Sequence, residues 1–233
     1  QRSQLPADLQ AARRAWREAA DLYPRTRRGF LADGAALALS PRALTLYLKK
    51  LYELFPRLER VSAYASPQNI LRRKDEDLGR VRAAGLQLLY IGLESGSAEV
   101  LRRVRKGASP EEIVESCRRV KKAGFATSLT VILGLGGPEL LEEHAVETGK
   151  ALTACAPDYI GALTLMLHEG NADCGKEFGR GWRLLDIRET LSELKLMIEN
   201  IGCDGCELRT NHASNWLAIK GRLGTVAVTS RRA

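Results

Sequence analysis

Apolar and polar positions along the chain alternate between two periods. Leu86–Leu93 is almost wholly apolar, as in a strand buried on both faces, and Thr127–Leu133 and Asp158–Leu167 read as strands of the same kind. Gly29–Ala32 and Arg60–Ala65 are shorter strand-like runs, the second with a period of two. Between them apolar residues recur at helical spacing in Leu5–Leu22, Pro41–Phe55, Asp75–Ala84, Ala98–Val104, Glu111–Ala123, Glu139–Ala154 and Ile187–Ile201. A weaker strand is predicted at Glu207–Arg209. Local signals agree with these bounds. Ser40-Pro41 supplies an N-cap and a first-turn proline, Ser109-Pro-Glu-Glu112 has the form of a capping box, and Gly85 and Gly124 close helices.

Strands alternating with helices at roughly 30-residue spacing predict βα units and a parallel sheet, hence an α/β fold. The chain opens on a helix, whereas each helix of a βα repeat follows a strand, so the phase predicts one further strand ahead of Gln1. An open (β/α) barrel and a doubly wound sheet both satisfy this pattern. Residues 168–185 break the rhythm with Gly170, Gly175, Gly179 and Gly181 and read as a long loop.

Composition adds bounds. With 233 residues, 45% of them hydrophobic, the chain can bury a core, and only four Phe and three Trp leave that core to aliphatic side chains and Ala. No apolar window reaches the length of a membrane-spanning helix, and the polar stretch Gln1–Gln10 lacks a signal region, so a cytoplasmic protein is expected. The net charge is +8. Residues 1–28 carry seven Arg against Asp8, Glu18 and Asp21. Such an excess can steer nucleic acid or an anionic substrate, but interleaving with Ala and Leu at helical spacing reads better as a solvated helix face. The five cysteines, at 117, 155, 174, 203 and 206, read as reduced thiols, with Cys117 and Cys155 as small core residues. Cys203-Asp-Gly-Cys206 has the spacing of a metal-binding or redox pair, although a tetrahedral zinc needs four ligands and no second such pair exists.

In parallel α/β folds ligands bind at the carboxyl ends of the strands. Those ends carry Asp33-Gly34, Ser66-Pro-Gln-Asn69, Glu94-Ser-Gly-Ser97 and Gly134-Leu-Gly-Gly-Pro-Glu139. Each has a structural reading alone: a turn, a helix cap, or a glycine turn that otherwise cradles phosphate. Four such sets at successive strand ends point to a site. His212, in a late polar run, either closes the mouth near a substrate or is a satisfied loop histidine, the second being slightly favoured. His144, on the helix after the glycine loop, is expected to face solvent.

Leu89-Tyr-Ile-Gly-Leu-Glu-Ser-Gly-Ser97, followed by Val100-Leu101 and Arg105-Lys-Gly107, resembles the fourth-strand segment of radical S-adenosylmethionine (SAM) enzymes. Thr130-Val-Ile-Leu-Gly-Leu-Gly-Gly137 resembles their fifth-strand motif, and Phe30-Leu-Ala-Asp-Gly34 their second-strand motif. Asn211-His-Ala-Ser-Asn-Trp216 resembles a C-terminal signature of the oxygen-independent coproporphyrinogen-oxidase-like Fe–S oxidoreductase group. The resemblance implies a partial (β/α)6 TIM-like open barrel of parallel strands with its first strand missing. Residues 1–167 would be its core and 168–233 a barrel-closing extension.

The resemblance also implies SAM as cofactor, with Asp33 and Gly34 at its methionine end and Ser66 lining the same pocket. Glu94 would meet the amino group or ribose and Lys106 the carboxylate, while Gly134 and Leu135 flank the adenine. His212 and Asn215 would lie on the substrate side. The family's Cys-x3-Cys-x2-Cys loop holds three irons of a [4Fe–4S] cluster and leaves the fourth for SAM. No such spacing occurs here, so the cluster cysteines are expected upstream of Gln1 with the missing strand, and this chain alone is expected to generate no radical. The implied chemistry is reductive cleavage of SAM by an electron from an external donor, giving a 5′-deoxyadenosyl radical that takes hydrogen from an unidentified small molecule. His168-Glu-Gly-Asn-Ala-Asp173 departs from the apolar-Pro-Gly-Thr-Pro-Leu-Tyr run of relatives, so no substrate-loop role carries over. Two alternatives remain open: a radical SAM-like tRNA modifier, supported by the basic N-terminal helix, and a non-catalytic α/β module binding phosphate or a nucleotide at the glycine loop.

Overall fold

Among the described residues, six parallel strands and one antiparallel strand form a single sheet whose order follows the sequence. The computed structural model describes residues 23–32, 36–167, 178 and 181–224. The helix predicted over Leu5–Leu22, the Asp33-Gly34 turn and His168 lie outside the described residues. The strands are β1 (Arg28–Leu31), β2 (Arg60–Ala65), β3 (Leu86–Glu94), β4 (Ala126–Leu133), β5 (Tyr159–Thr164), β6 (Glu207–Arg209) and β7 (Lys220–Arg222). The helices are α1 (Pro41–Leu54), α2 (Pro67–Leu71), α3 (Asp75–Ala83), α4 (Ala98–Arg103), α5 (Pro110–Lys122), α6 (Leu141–Cys155) and α7 (Ile187–Glu199). β1 and β7 do not pair with each other, so the sheet is open, as in a partial TIM-like barrel.

The helices begin where local chemistry directs. Ser40 Oγ accepts from the Ala43 amide at 3.2 Å, and Ser109 and Glu112 exchange both bonds of a capping box at the start of α5. Alternation along the strands sends one set of side chains under the helices: Val61, Ala63, Leu89, Ile91, Leu129 and Val131 are all buried there. The largest fully buried side chains are all Leu or Ile, the aliphatic core expected from so few aromatics.

The other face departs from the sequence reading. β3 is not buried on both sides: Tyr90, Gly92 and Glu94 are only half-buried, because the inner face of the curved sheet lines cavities rather than a second layer. β5 also stops at Thr164, short of the predicted Leu167. α2 and β7 were not legible as elements. Ser66-Pro67, at the predicted strand end, also starts a helix, with Ser66 Oγ accepting from the Asn69 amide at 3.2 Å.

Candidate functional site at the carboxyl ends of the strands

At the end of β3 the register against β4 shifts between Gly92 and Glu94, and Glu94 takes a left-handed φ of 61°. A bulge of this kind re-aims the side chain at a strand end. Lys106 Nζ donates to Glu94 Oε1 at 2.8 Å, and the two side chains are 21% and 24% exposed. Gly92 leaves the space in which they meet, since a Cβ there would lie 2.1 Å from Glu94 Oε1 and 2.8 Å from Lys106 Nζ.

Lys106 is fixed by the way α4 ends. Its amide donates to Leu101 O at 3.0 Å, the Arg105 amide donates to Arg102 O at 3.1 Å, and Arg105 is left-handed at φ 52°. This is a Schellman ending with Arg in place of the usual Gly. Gln68 Nε2 then donates to Gly107 O at 2.7 Å, tying α2 to the same turn.

Behind Glu94, α6 holds the Ser95-Gly96-Ser97 turn through three polar contacts and is tied to β4 by a fourth. Ser95 Oγ bonds His144 Nδ1 at 2.7 Å, and His144 Nε2 lies 3.1 Å from Ile132 O. The carbonyl only accepts, so Nε2 carries the proton and Nδ1 accepts from the serine. The Gly96 amide donates to Thr148 Oγ1 at 2.9 Å, and Ser97 Oγ donates to Glu143 Oε1 at 2.6 Å. Gly96 is needed for the approach, because a Cβ there would fall 2.1 Å from Glu147 O.

His144 is thus fully buried, which corrects the expectation that it faces solvent. It shares the inward face of α6 with Thr148 and Leu152 at four-residue intervals. Burial pushes its pKa down to about 4, which keeps the ring neutral.

The glycine loop after β4 is covered rather than open. Gly134, at φ 81°, donates its amide to Glu193 Oε2 at 2.6 Å. Glu193 projects from α7, is fully buried, and is pushed by burial up to about 8, while its Oε1 has no partner among the described residues. Trp182 closes on Gly137, where a Cβ would lie 2.6 Å from the indole, and its Nε1 donates to Leu135 O at 3.4 Å. Neither Glu193 nor His144 was legible as a site residue in the sequence. Only the four-residue spacing of His144 and Thr148 hints at the first.

Two cavities flank the Glu94–Lys106 pair. One, of about 400 Å³, has walls of Ile132, Leu135 and Leu163, with His212 at its edge. The other, of about 290 Å³, is bounded by Ser66, Gln68, Tyr64 and Tyr90. Ser66, Glu94, Lys106 and Leu135 are therefore brought together, and Gly134 lies behind them beside a third cavity with Asn215. Asp33 and Gly34 lie outside the described residues. His212 is exposed, with Nδ1 2.8 Å from Ser214 Oγ. Asn215 has its amide committed to structure: Nδ2 donates to Ala162 O and Thr210 O at 2.8 and 2.9 Å, and Oδ1 accepts from Thr164 Oγ1 at 2.8 Å.

An ammonium beside a carboxylate, next to an apolar cavity, is complementary to a zwitterionic ligand with a flat apolar portion, and so fits SAM. A cluster is another matter. Cys117, Cys155, Cys203 and Cys206 are buried and border neither cavity, and no group of three metal-binding side chains is assembled among the described residues. The Cys203 and Cys206 sulfurs lie 2.6 Å apart, and burial pushes the Cys206 thiol up to about 12.

The sequence profile of the radical SAM superfamily matches residues 10–152. A comparison with curated proteins finds no match. Among solved structures, coproporphyrinogen III oxidase from Escherichia coli is similar over 74% of this chain and 39% of its own, with 20% identity and a TM-score of 0.60. The N-terminally truncated archaeal Elp3 of Methanocaldococcus infernus is similar over 87% of this chain and 51% of its own, with 14% identity and a TM-score of 0.65. Methylornithine synthase is similar over 83% of this chain and 58% of its own, with 17% identity and a TM-score of 0.50. The chain thus spans between 39% and 58% of the length of these proteins, and at such identities the likeness is one of fold.

Proposed function

The chain belongs to the radical SAM superfamily, whose members bind SAM and a [4Fe–4S] cluster, and from that premise we propose that its strand ends form the SAM-facing wall of an Fe–S oxidoreductase or transferase. The observation that carries this reading is the Glu94–Lys106 pair between two cavities. A methionyl zwitterion exchanges this internal ion pair for two external ones, carboxylate on Lys106 and ammonium on Glu94. Ile132 and Leu135 offer the adenine an apolar wall that excludes water, and Ser66 bounds the methionine side, to which the family resemblance also assigns Asp33 and Gly34, outside the described residues. When bound, the cluster and SAM supply one electron and a 5′-deoxyadenosyl radical that abstracts hydrogen from a small-molecule substrate.

The cluster cysteines are proposed to lie upstream of Gln1, and an external donor to reduce the cluster. Residues 1–167 act as the barrel core and 168–233 as its closing extension, with His212 at the substrate mouth and Asn215 positioning its loop. A cytoplasmic setting is part of the proposal, and no helix among the described residues is long and apolar enough to cross a membrane. A phosphate-binding module is less well supported, because the Gly134 amide that would meet the anion already faces the Glu193 carboxyl.

The test uses the full-length gene product, reconstituted anaerobically with iron and sulfide. Dithionite-dependent 5′-deoxyadenosine should form from SAM and fall at least about tenfold in Glu94→Gln, the effect of losing one charge-assisted contact. Absence of the product with an intact cluster would overturn the proposal.

A further inference from the structure

Lower on the inner face of the sheet stands a set of charges that the SAM-facing end does not use. Arg28 of β1 and Arg60 of β2 are direct register partners. Together with Arg209 of β6, from the far side of the sheet, they line one cavity of about 370 Å³, shared with Tyr90, Tyr159 and Asn211. Arg209 is paired with Glu207, which Lys220 also approaches. Arg28 and Arg60 have no ion-pair partner among the described residues, and the Nε of Arg60 is buried without a hydrogen bond. Arg60 is half-buried and has lost part of its hydration, and the guanidinium of its exposed register partner Arg28 repels it, so the arrangement is costly unless an anion completes it. The planar donor fork of arginine matches the paired oxygens of a carboxylate or a phosphate.

Tyr90 joins this cavity to the SAM-facing end, because it also borders the cavity that holds Ser66, Glu94 and Lys106. Its ring stands edge-on to Phe30 at 5.4 Å and to Tyr64 at 6.2 Å, and Phe30 and Tyr64 meet at 4.8 Å. Phe30 is 42% and Tyr64 53% exposed, so the aromatic wall is open to a ligand. We infer that Arg28, Arg60 and Arg209 hold the oxyanion group of the enzyme's substrate, and that a flat, apolar substrate body lies along the Tyr90 wall with its far end directed toward Glu94. The inference rests on the proposed SAM-dependent function and names the substrate class for the same barrel.

Titration calorimetry on the full chain tests this with phenyl phosphate, benzoate and neutral benzyl alcohol as probes. Phenyl phosphate or benzoate should bind, the tighter of the two identifying the source of the oxyanion, and benzyl alcohol should bind at least about tenfold more weakly. Arg28→Gln and Arg60→Gln should each weaken oxyanion binding about tenfold, and Arg60→Lys, which keeps the charge but loses the fork, severalfold. The exposed Arg80→Gln should change nothing. If Arg60→Gln fails to fold, Arg28→Gln, at an exposed strand start, carries the test. SAM affinity measured on the same variants should stay within about twofold, since none of these side chains borders Glu94. Oxyanion binding absent from the wild type, unchanged in both Gln variants, or matched by benzyl alcohol would overturn the inference. Such a result with SAM binding intact would leave the proposed function standing, whereas loss of SAM binding in the wild type would strike at the function itself.

Discussion

Glu94 reaches Lys106 because its own backbone is left-handed and because position 92 has no side chain. The left-handed backbone costs roughly 1–2 kcal/mol in a residue with a Cβ, and it persists because the Ser95–Ser97 turn is clamped from behind. Gly92→Ala would press on the mobile ends of two side chains rather than on backbone. It should therefore lower SAM affinity at least about tenfold while leaving the melting temperature nearly unchanged, as calorimetry and a thermal melt would show. The two buried titratable groups make opposite pH predictions. His144 falls from an ordinary 6.5 to about 4, so the stability it confers is present above pH 6.5 and is lost as pH falls toward 4. The loss amounts to roughly 3 kcal/mol, and denaturant melts of His144→Asn should lack that acid slope. Glu193 rises from 4.5 to about 8, so its contribution is present below pH 4.5 and is lost as pH rises through 8. Glu193→Gln should remove that alkaline decline in the same melts. Glu94 was legible because a strand end and a family resemblance both marked it, and Lys106 through the resemblance alone. Glu193 was not, since a carboxylate on an amphipathic helix reads as exposed until the glycine amide it serves is known.

At the scale of elements, α6 acts as a brace for the turn that carries Glu94. His144, Thr148 and Glu143 each take one polar group of Ser95–Ser97, so β3, β4 and α6 fix the turn together. Gly96→Ala would drive a methyl group into the backbone of Glu147 and Thr148, which cannot give way. It should cost about 1–3 kcal/mol in denaturant melts and weaken SAM binding as well, because the turn must move. The helix starts at Ser40 and Ser109 were readable from local capping chemistry alone. The end of α4, expected at Val104, falls within one residue of that position, although its left-handed position holds Arg105 where Gly is the usual signal. α2 escaped notice because five residues give no periodicity to read.

For the whole molecule, the parallel sheet was readable because each apolar strand is followed by an amphipathic helix, whereas its sequential order was implied only by the family resemblance, since the same alternation fits a doubly wound sheet. The inner face departs from the expectation. Tyr90 and Gly92 sit in a mostly apolar run that predicts a second buried layer, and only curvature of the open sheet turns that face into cavity walls. The same curvature brings Ser66, Glu94, Lys106 and Leu135 around one pair of cavities, and this convergence is the central claim. It is tested most directly by titrating SAM into the chain and into Glu94→Gln, Lys106→Met and the double variant, with ATP as a nucleotide control. The wild type should bind SAM and not ATP, each single variant should bind SAM at least about tenfold more weakly, and the double variant should lose less than the sum because the two act as a pair. SAM affinity unchanged in both single variants would contradict the account.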